Sequence, residues 1–251
     1  MLPSTLYDAL VLTEIALAVL TAIGLIFVTA PYGRYRRPGW GPTVPARVAW
    51  VVMESPAVLA FAAFYLLGSD RAELVPLVLL SLWQLHYVQR AFVYPFLMRS
   101  GTRMPATVML LAIGFNLLNA YINARWISEF GSYAVDWLAD PRFILGTALF
   151  AGGYALNRSA DRTLRALRRP GESGYKIPYG GAYRWVSCPN YLGEIVQWFG
   201  WALATWSLAG LAFALYTTAN LGPRAIQHHR WYREHFPDYP PGRKALIPYV
   251  I

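Results

Sequence analysis

Residues 9–29 read ALVLTEIALAVLTAIGLIFVT, an apolar run that contains one charged side chain, Glu14. An α-helix needs about 20 predominantly apolar residues to cross the hydrocarbon core of a membrane. The run is long enough for one crossing, and Pro31 follows it closely, where a helix is expected to end. This stretch therefore predicts a transmembrane helix and makes a membrane protein the first hypothesis for the whole chain.

The composition of the chain supports the same hypothesis. Of the 251 residues, 56% are hydrophobic and 14% are charged, whereas soluble domains have about 45–50% apolar and about 25% charged residues. This shortage of charge argues against a disordered chain, a coiled coil and a nucleic-acid-binding domain with a solvated basic face. The single cysteine, Cys188, excludes an intrachain disulfide, and no Cys/His/carboxylate cluster has the spacing of metal ligands.

Turn-forming residues divide the chain into seven apolar spans, which predicts an all-α, polytopic membrane protein with a single domain over residues 1–251. The predicted helices lie near residues 6–29, 47–68, 74–96, 105–127, 142–158, 190–206 and 207–222. The last two come from one long apolar stretch, which is long enough for two short crossings at about 1.5 Å per residue and has its natural bend at 207–210. Residues 223–251 are predicted to form a cytoplasmic tail.

The basic residues are distributed unevenly between the connections, which predicts the orientation. Of the 22 Lys and Arg residues, 19 fall on one side of the predicted helices and three on the other. Because cytoplasmic loops carry the excess of positive charge, we expect the N-terminus outside and the C-terminus in the cytoplasm. The predominance of Arg over Lys favours a bacterial inner membrane, and the endoplasmic reticulum is the alternative for a eukaryotic source.

Several ionisable or polar side chains fall inside the predicted spans, where they usually face a bundle interior or a cavity. Glu14 has no obvious partner, so a position facing water or a crevice and a functional role are both open. Burial in an apolar site favours the protonated form of a carboxyl group, which makes Glu54 a candidate proton donor; an interhelical hydrogen bond is the alternative. Tyr87, Arg90 and Tyr94 are three and four residues apart and share one helical face, and Tyr87 could donate a hydrogen bond to a carbonyl group.

Two further groups of polar residues suggest ligand contacts. Asn116 and Asn119 in the fourth span are either packing contacts between helices or part of a cavity wall that meets a polar substrate. A second group follows one helical stripe and consists of Asn157, Asp161, Arg165 and Arg168. This stripe could bind ribose and phosphate groups or anionic lipid. Because the chain has neither a P-loop nor a Gly-x-Gly-x-x-Gly motif, any nucleotide site must be built from membrane helices and loops.

Long stretches of the chain resemble the steroid 5α-reductase family, the 3-oxo-5α-steroid 4-dehydrogenases. They are GESGYKIPYGG (171–181), VSCPNYLGE (186–194), WFGWALATWSLAGLAFA (198–214), LGPRAIQHHRWY (221–232) and DYPPGRKALIP (238–248). Shorter matches are PYGRY (31–35), PARVAW (45–50), ESP (54–56) and HYVQRAFVYPFLMR (86–99). The resemblance covers nearly the whole chain, and within the family the chain looks most like a bacterial relative of the type 2 enzyme.

This resemblance implies an NADPH-dependent membrane reductase with seven helices, which transfers a hydride to the β-carbon of an enone and so reduces the Δ4 double bond of a 3-oxosteroid. The family's catalytic Glu and Tyr, which hydrogen-bond the substrate carbonyl, match Glu54 and Tyr87. The family's NADPH contacts match Asn157, Asp161, Arg168, Tyr175, Asn190, Glu194, Arg224, His228 and Tyr232, and further expected contacts are Tyr32, Arg90, Tyr94 and Arg103. Met53 stands where type 2 enzymes have Gln, so we place Met53 at the substrate and keep another lipophilic enone as an alternative.

Two other functions compete with the reductase hypothesis. A membrane methyltransferase of the isoprenylcysteine type has a C-terminal region of similar outline and would use S-adenosylmethionine instead of NADPH. A lipid-binding or transport protein would use the arginines of residues 157–194 for lipid contacts. The partners expected for the reductase are a lipophilic small-molecule substrate (a steroid enone) and membrane lipid, with no nucleic acid, and the protein is expected to be a monomer.

Overall fold

Helices dominate the computed structural model, which describes residues 4–98, 101–167, 172 and 174–251. The α-helices are α1 (Ser4–Phe27), α2 (Ala46–Leu66), α3 (Leu74–Val88), α4 (Tyr94–Leu97), α5 (Ala106–Arg125), α6 (Pro141–Ala166), α7 (Pro189–Thr205) and α8 (Leu208–His235). Two π-helical turns, Gln89–Val93 and Trp126–Phe130, link α3 to α4 and extend α5. Short 3₁₀ turns occupy Gly33–Tyr35, Val135–Ala139 and Gly181–Arg184. The strands β1 (Thr43–Pro45) and β2 (Arg103–Pro105) form an antiparallel ribbon in which Val44 is opposite Met104.

Within the described part of the chain, three helical segments are long and apolar enough to cross a membrane: Thr5–Phe27, Ala46–Leu66 and Ala106–Phe130. Helix α1 exposes large apolar side chains along much of its length, including Leu12 and Ile26, whose exposed fractions are 64% and 70%. Such a surface is unfavourable in water and suits a lipid environment. The helices therefore support the membrane assignment made from the sequence.

Two helices extend beyond the spans that were predicted from hydropathy. Helix α6 runs to Ala166 instead of ending near residue 158, and α8 runs to His235 instead of giving way to a tail at residue 223. Pro223 lies inside α8, where it removes one backbone hydrogen bond without ending the helix. Hydropathy detects the apolar part of a helix, so it misses the polar turns that continue outside that part.

The boundary between α7 and α8 falls at Trp206, one residue before the predicted bend. Trp206 has a left-handed backbone conformation, with φ of 45°, which is uncommon for a residue other than glycine. The Ser207 Oγ then accepts a hydrogen bond from the Gly210 backbone nitrogen at 2.9 Å and caps α8. This cap allows the chain to reverse direction between two tightly packed helices.

The centre of the bundle is an aromatic cluster around Trp83, which is fully buried. The Trp83 ring centroid lies 5.2 Å from that of Trp201, 5.4 Å from that of Trp198 and 5.7 Å from that of Phe213. The Trp83 indole nitrogen donates to the Ala57 carbonyl oxygen at 2.8 Å. The cluster thus joins α2, α3, α7 and α8 and satisfies the polar atom of its central ring.

Helices α6 and α7 approach each other through glycine residues. At each of four positions, an added Cβ would overlap the backbone of the partner helix: Gly146, Gly153, Gly193 and Gly200. A Cβ at Gly153, for example, would lie 2.5 Å from the Gln197 backbone nitrogen. This close approach brings the polar ends of the two helices together, so that Asn157 Nδ2 donates to the Asn190 carbonyl oxygen at 3.0 Å.

We predict that Gly153→Ala destabilises the protein, because its methyl group must push α7 away. Overpacking of this kind typically reduces stability by about 1–3 kcal/mol. Gly152→Ala is the matched control, since no atom lies within 4 Å of an added Cβ at that position, and alanine favours a helix over glycine by about 1 kcal/mol. Thermal unfolding in detergent measures both; equal melting temperatures for the two variants would contradict the close contact.

Candidate functional site

A cavity of about 1240 Å³ lies inside the helix bundle. Ligand pockets commonly have volumes of about 300–1,000 Å³, so this cavity has room for more than one small molecule. Its lining includes residues of α2, α3, α5, α6, α7 and α8, residues of the 30–36 loop, and Glu172, Gly174 and Tyr175. Val28, directly after α1, and Leu111 of α5 also line the cavity and are exposed, so the cavity reaches the apolar surface beside these two residues.

Most of the residues proposed from the sequence line this cavity. The proposed catalytic and substrate residues in the lining are Glu54, Tyr87, Met53 and Asn116. The proposed cofactor residues in the lining are Tyr32, Arg90, Tyr94, Arg103, Asn157, Asp161, Tyr175, Asn190, Glu194 and Arg224. Asn119, Arg165, His228 and Tyr232 are not among the lining residues of the cavity, and Arg168 lies outside the described residues.

Arg90 connects the two proposed groups of residues. Its Nε lies 3.8 Å from Glu54 Oε1, and its Nη2 lies 3.9 Å from Glu194 Oε1. The guanidinium also lies over the Trp50 ring, 4.6 Å from its centroid, and over the Tyr94 ring at 5.0 Å. Arg90 belongs to the π-helical turn after α3, a distortion that is frequent at functional sites. One cation therefore links α2, α3 and α7 at the cavity wall.

Tyr87 lies against the aromatic cluster and faces the same cavity. Its ring centroid is 4.8 Å from that of Trp83 and 5.6 Å from that of Trp198. On α5, Asn116 donates from Nδ2 to the Met53 carbonyl oxygen at 2.6 Å and also contacts the Glu54 carboxyl group. Tyr87 and Glu54 can therefore present a hydroxyl and a carboxyl group to one ligand in a site with little access to water.

Amide and carboxyl groups of α6 and α7 form a second polar part of the cavity. Asn190 Nδ2 donates to Asp161 Oδ1 at 3.2 Å, and Asn157 Nδ2 lies 3.4 Å from Glu194 Oε2. Carboxylate oxygens accept hydrogen bonds and amides both donate and accept. This arrangement suits the hydroxyl groups of a sugar.

Arg224 and His228 lie in the C-terminal half of α8, where it meets the 30–36 loop. Arg224 Nη2 donates to the Tyr191 hydroxyl at 3.1 Å, and its guanidinium lies 4.7 Å from the Tyr32 ring centroid. His228 Nε2 is 3.1 Å from the Tyr191 hydroxyl. Burial, together with the positive charges of Arg34 and Arg224, lowers the pKa of His228 to about 3. His228, which lies beyond the predicted span 207–222, is therefore neutral at physiological pH and positions Tyr191 without adding charge.

The remaining proposed residues have other surroundings. Asn119 Oδ1 accepts a hydrogen bond from Asn123 Nδ2 at 2.8 Å, and Asn123 Oδ1 accepts one from the Trp201 indole nitrogen at 2.8 Å. Of the two alternatives for Asn119, these bonds favour a packing contact between helices. Arg165 has a buried nitrogen without a hydrogen-bond partner among the described residues, and Tyr232 borders a smaller pocket. Glu14 is fully buried rather than water-facing, and neither of its carboxyl oxygens has a described partner.

Sequence reasoning missed three residues of the site: Arg34, Trp50 and Tyr191. All three lie in stretches that carry the family resemblance, PYGRY, PARVAW and VSCPNYLGE. From the sequence, Arg34 indicates only the orientation of the chain in the membrane, through the distribution of basic residues. An aromatic residue beside a membrane helix is usually a packing or interface residue. Their roles become visible only when the loop, α2 and α7 are brought to one cavity.

Comparisons with known proteins agree with the motifs. The family model described as 3-oxo-5-alpha-steroid 4-dehydrogenase matches residues 102–251. The chain is 46% identical over 251 residues to 3-oxo-5-alpha-steroid 4-dehydrogenase 1 of Bos taurus, covering 98% of this chain and 97% of the relative. It is 44% identical over 254 residues to steroid 5-alpha-reductase DET2 of Gossypium hirsutum, covering 98% of each chain.

The human relative is similar over a shorter region. The chain is 43% identical over 222 residues to 3-oxo-5-alpha-steroid 4-dehydrogenase 1 of Homo sapiens, covering 88% of this chain and 86% of the relative. These relatives are type 1 and plant proteins, so the expected likeness to the type 2 enzyme and the expected bacterial origin gain no support. The match of the family model and the extent of these similarities show that the chain belongs to the 3-oxo-5-alpha-steroid 4-dehydrogenase (steroid 5-alpha-reductase) family of oxidoreductases.

Proposed function

We propose that this protein is a membrane enzyme that uses NADPH to reduce the Δ4 double bond of a 3-oxosteroid. The observation that carries the proposal is the single cavity that contains Glu54, Tyr87 and the polar residues of α6 and α7, with Arg90 between them. The names of the relatives give the reaction class. Another lipophilic enone is the alternative substrate, since Tyr87 and Glu54 could donate to the carbonyl oxygen of any enone.

The described residues fit a nicotinamide dinucleotide. Asn157, Asp161, Asn190 and Glu194 offer donors and acceptors for ribose hydroxyls. Arg103 and Arg224 add positive charge to the lining, which suits phosphate oxygens. When bound, the dinucleotide would supply the hydride that adds to the β-carbon of the enone.

The catalytic work of the chain is to stabilise charge on the substrate oxygen. Hydride addition to the β-carbon moves electrons toward the carbonyl, and the Tyr87 hydroxyl would donate a hydrogen bond to that oxygen as it becomes negative. The Glu54 carboxyl group donates to the same oxygen when it carries its proton. Fixed donors of this kind act most strongly in a site from which water is excluded, and the rings of Trp83 and Trp198 pack behind Tyr87 on the side away from the cavity.

The placement of the protein in the membrane belongs to the same proposal. We infer seven transmembrane segments, with the N-terminus outside, the cofactor residues at the cytoplasmic side and a monomer as the functional unit. The distribution of Arg and Lys supports this orientation. A lipophilic substrate would enter from the lipid between α1 and α5, where the exposed Val28 and Leu111 line the cavity. Bacterial inner membrane and endoplasmic reticulum are both compatible with this arrangement.

The first prediction concerns the reaction itself. We expect the protein purified in detergent to oxidise NADPH when testosterone or progesterone is added, with a product heavier by two hydrogens in mass spectrometry. NADPH at 100 times its dissociation constant should also stabilise the fold by about 2.7 kcal/mol. Stabilisation without turnover would direct the search to other lipophilic enones. Stabilisation by S-adenosylmethionine and not by NADPH would contradict the reductase and favour the methyltransferase.

The second prediction concerns the carbonyl donors. Tyr87→Phe should lower kcat by about 10²- to 10³-fold, the usual effect of removing one donor to a developing oxyanion, and Glu54→Gln should also abolish most turnover. Both variants should still be stabilised by NADPH, since neither change removes a proposed cofactor contact.

Tyr154→Phe is the matched control for the loss of a hydroxyl group. Tyr154 contacts His86, with ring centroids 6.1 Å apart, but it is not part of the cavity lining. Its variant should keep the activity of the unmodified protein. Undiminished turnover by Tyr87→Phe, or an equal loss in Tyr154→Phe, would refute the role assigned to Tyr87.

A further inference from the structure

A side pocket of about 160 Å³ lies beside the loop end of the main cavity. It is lined by Arg34, Leu164, Leu167, Tyr175, Lys176 and Tyr232, and it shares Arg34, Leu164 and Tyr175 with the lining of the main cavity. Because a water molecule occupies about 30 Å³ in the liquid, the pocket has space for a group of a few heavy atoms. A molecule in the main cavity could therefore extend one substituent into the side pocket.

Arg34 is held at this junction by aromatic rings. Its guanidinium carbon lies 3.9 Å from the ring centroid of Trp231, 4.4 Å from that of Tyr175 and 4.6 Å from that of Tyr232. Arg34 Nη2 donates to the Tyr232 hydroxyl at 3.2 Å. These contacts fix the plane of the guanidinium, and they come from two separate segments of the chain, α8 and the loop before α7.

The rings lie against the charge of Arg34 but leave two of its nitrogens without a hydrogen-bond acceptor among the described residues. Its Nε and Nη1 are buried and have no hydrogen-bond partner among the described residues. The ion pairs found within the described part of the chain do not include Arg34. A buried donor without a partner is unfavourable. A ligand with an anionic acceptor would accept hydrogen bonds from these nitrogens and would also form an ion pair with the guanidinium. Nε and one Nη of a guanidinium form the fork that matches two oxygens of a phosphate group.

A second cation borders the same pocket. Lys176 Nζ forms an ion pair with Glu172 Oε2 at 2.6 Å, and both side chains are largely exposed. An exposed pair of this kind contributes little to stability, so the ammonium group can turn toward a more highly charged anion. The pocket thus offers one fixed cation and one adjustable cation.

We propose that Arg34, with Lys176, binds the phosphate monoester by which NADPH differs from NADH, and that this contact selects the cofactor. The inference rests on the proposed function, which puts the nicotinamide near Tyr87 and therefore the adenosine end of the dinucleotide toward the 30–36 loop. At that end NADH presents a neutral hydroxyl, which leaves Arg34 without an anion. NADPH presents a phosphate that is small enough for the side pocket.

The test uses nucleotide fragments, so that it does not depend on turnover. Binding of 2′,5′-ADP, 5′-AMP and inorganic phosphate to the full-length protein in detergent is measured by calorimetry. The unmodified protein should bind 2′,5′-ADP at least 10-fold more tightly than 5′-AMP. Arg34→Met, which keeps an apolar stem among the rings, should lose about 10- to 100-fold of the affinity for 2′,5′-ADP, the range expected for a hydrogen bond to a charged group. Its affinity for 5′-AMP should change by less than about twofold.

Control variants separate recognition from folding and from bulk charge. Arg37→Met removes the same charge from the same loop, where Arg37 is exposed and contacts only the Thr29 carbonyl oxygen and the Trp40 ring within the described residues, and it should leave all affinities unchanged. Lys176→Met should weaken 2′,5′-ADP binding less than Arg34→Met does. It also keeps the test informative if Arg34→Met does not fold.

The outcomes distinguish this inference from the proposed function. Equal losses for both nucleotides in Arg34→Met, or tight binding of inorganic phosphate alone, would overturn the inference. An unmodified protein that reduces the enone equally well with NADPH and NADH would also overturn it, while the proposed function would stand. If neither dinucleotide stabilises the unmodified protein or supports turnover, the proposed function itself fails.

Discussion

The position of Arg90 inside the helix bundle is the constraint on which the site depends. A guanidinium cannot release its proton in a protein, and a charge in an apolar interior needs an opposite charge nearby. Glu54 and Glu194 lie within 3.9 Å of it from two different helices, and the faces of Trp50 and Tyr94 cover it. When Glu54 carries its proton, Glu194 supplies the compensating charge, so α7 is held against the turn after α3 by electrostatics as well as by packing.

The apolar scaffold is built around this polar centre in two different ways. On the side of α2, α3 and α8, large rings fill the space around Trp83, so the wall behind Tyr87 is rigid and dry. On the side of α6 and α7, glycines remove side-chain volume and allow the backbones to meet. The large rings form an apolar wall of the cavity, and the glycines let two polar helix ends lie close together. A site for an apolar and a polar ligand uses both of these surfaces.

The connections outside the apolar part of the bundle complete the site. The 30–36 loop reaches α8 through Arg34 and Tyr35, whose hydroxyl lies 3.3 Å from His228 Nδ1. The C-terminal segment pairs with the residues before α7, where the Ser187 backbone nitrogen donates to the Lys244 carbonyl oxygen at 2.8 Å. The long stretches that resemble the reductase family thus meet in space, although they are far apart in the sequence.

The sequence by itself determined the membrane character, the approximate positions of the helices and most of the residues of the cavity. Apolar runs are local properties, and a charged or polar residue inside such a run, such as Glu54 or Arg90, is conspicuous because it is unfavourable there. The ends of α6 and α8 were not predictable in this way, since their last turns are polar and obey no membrane constraint. Only the tertiary structure decided that Asn119 packs against Asn123 while Asn116 lines the cavity, because the two amides differ in direction and not in chemistry. The same holds for Arg34: its aromatic surroundings come from two distant segments, and long-range packing of that kind leaves no local signal in a single sequence.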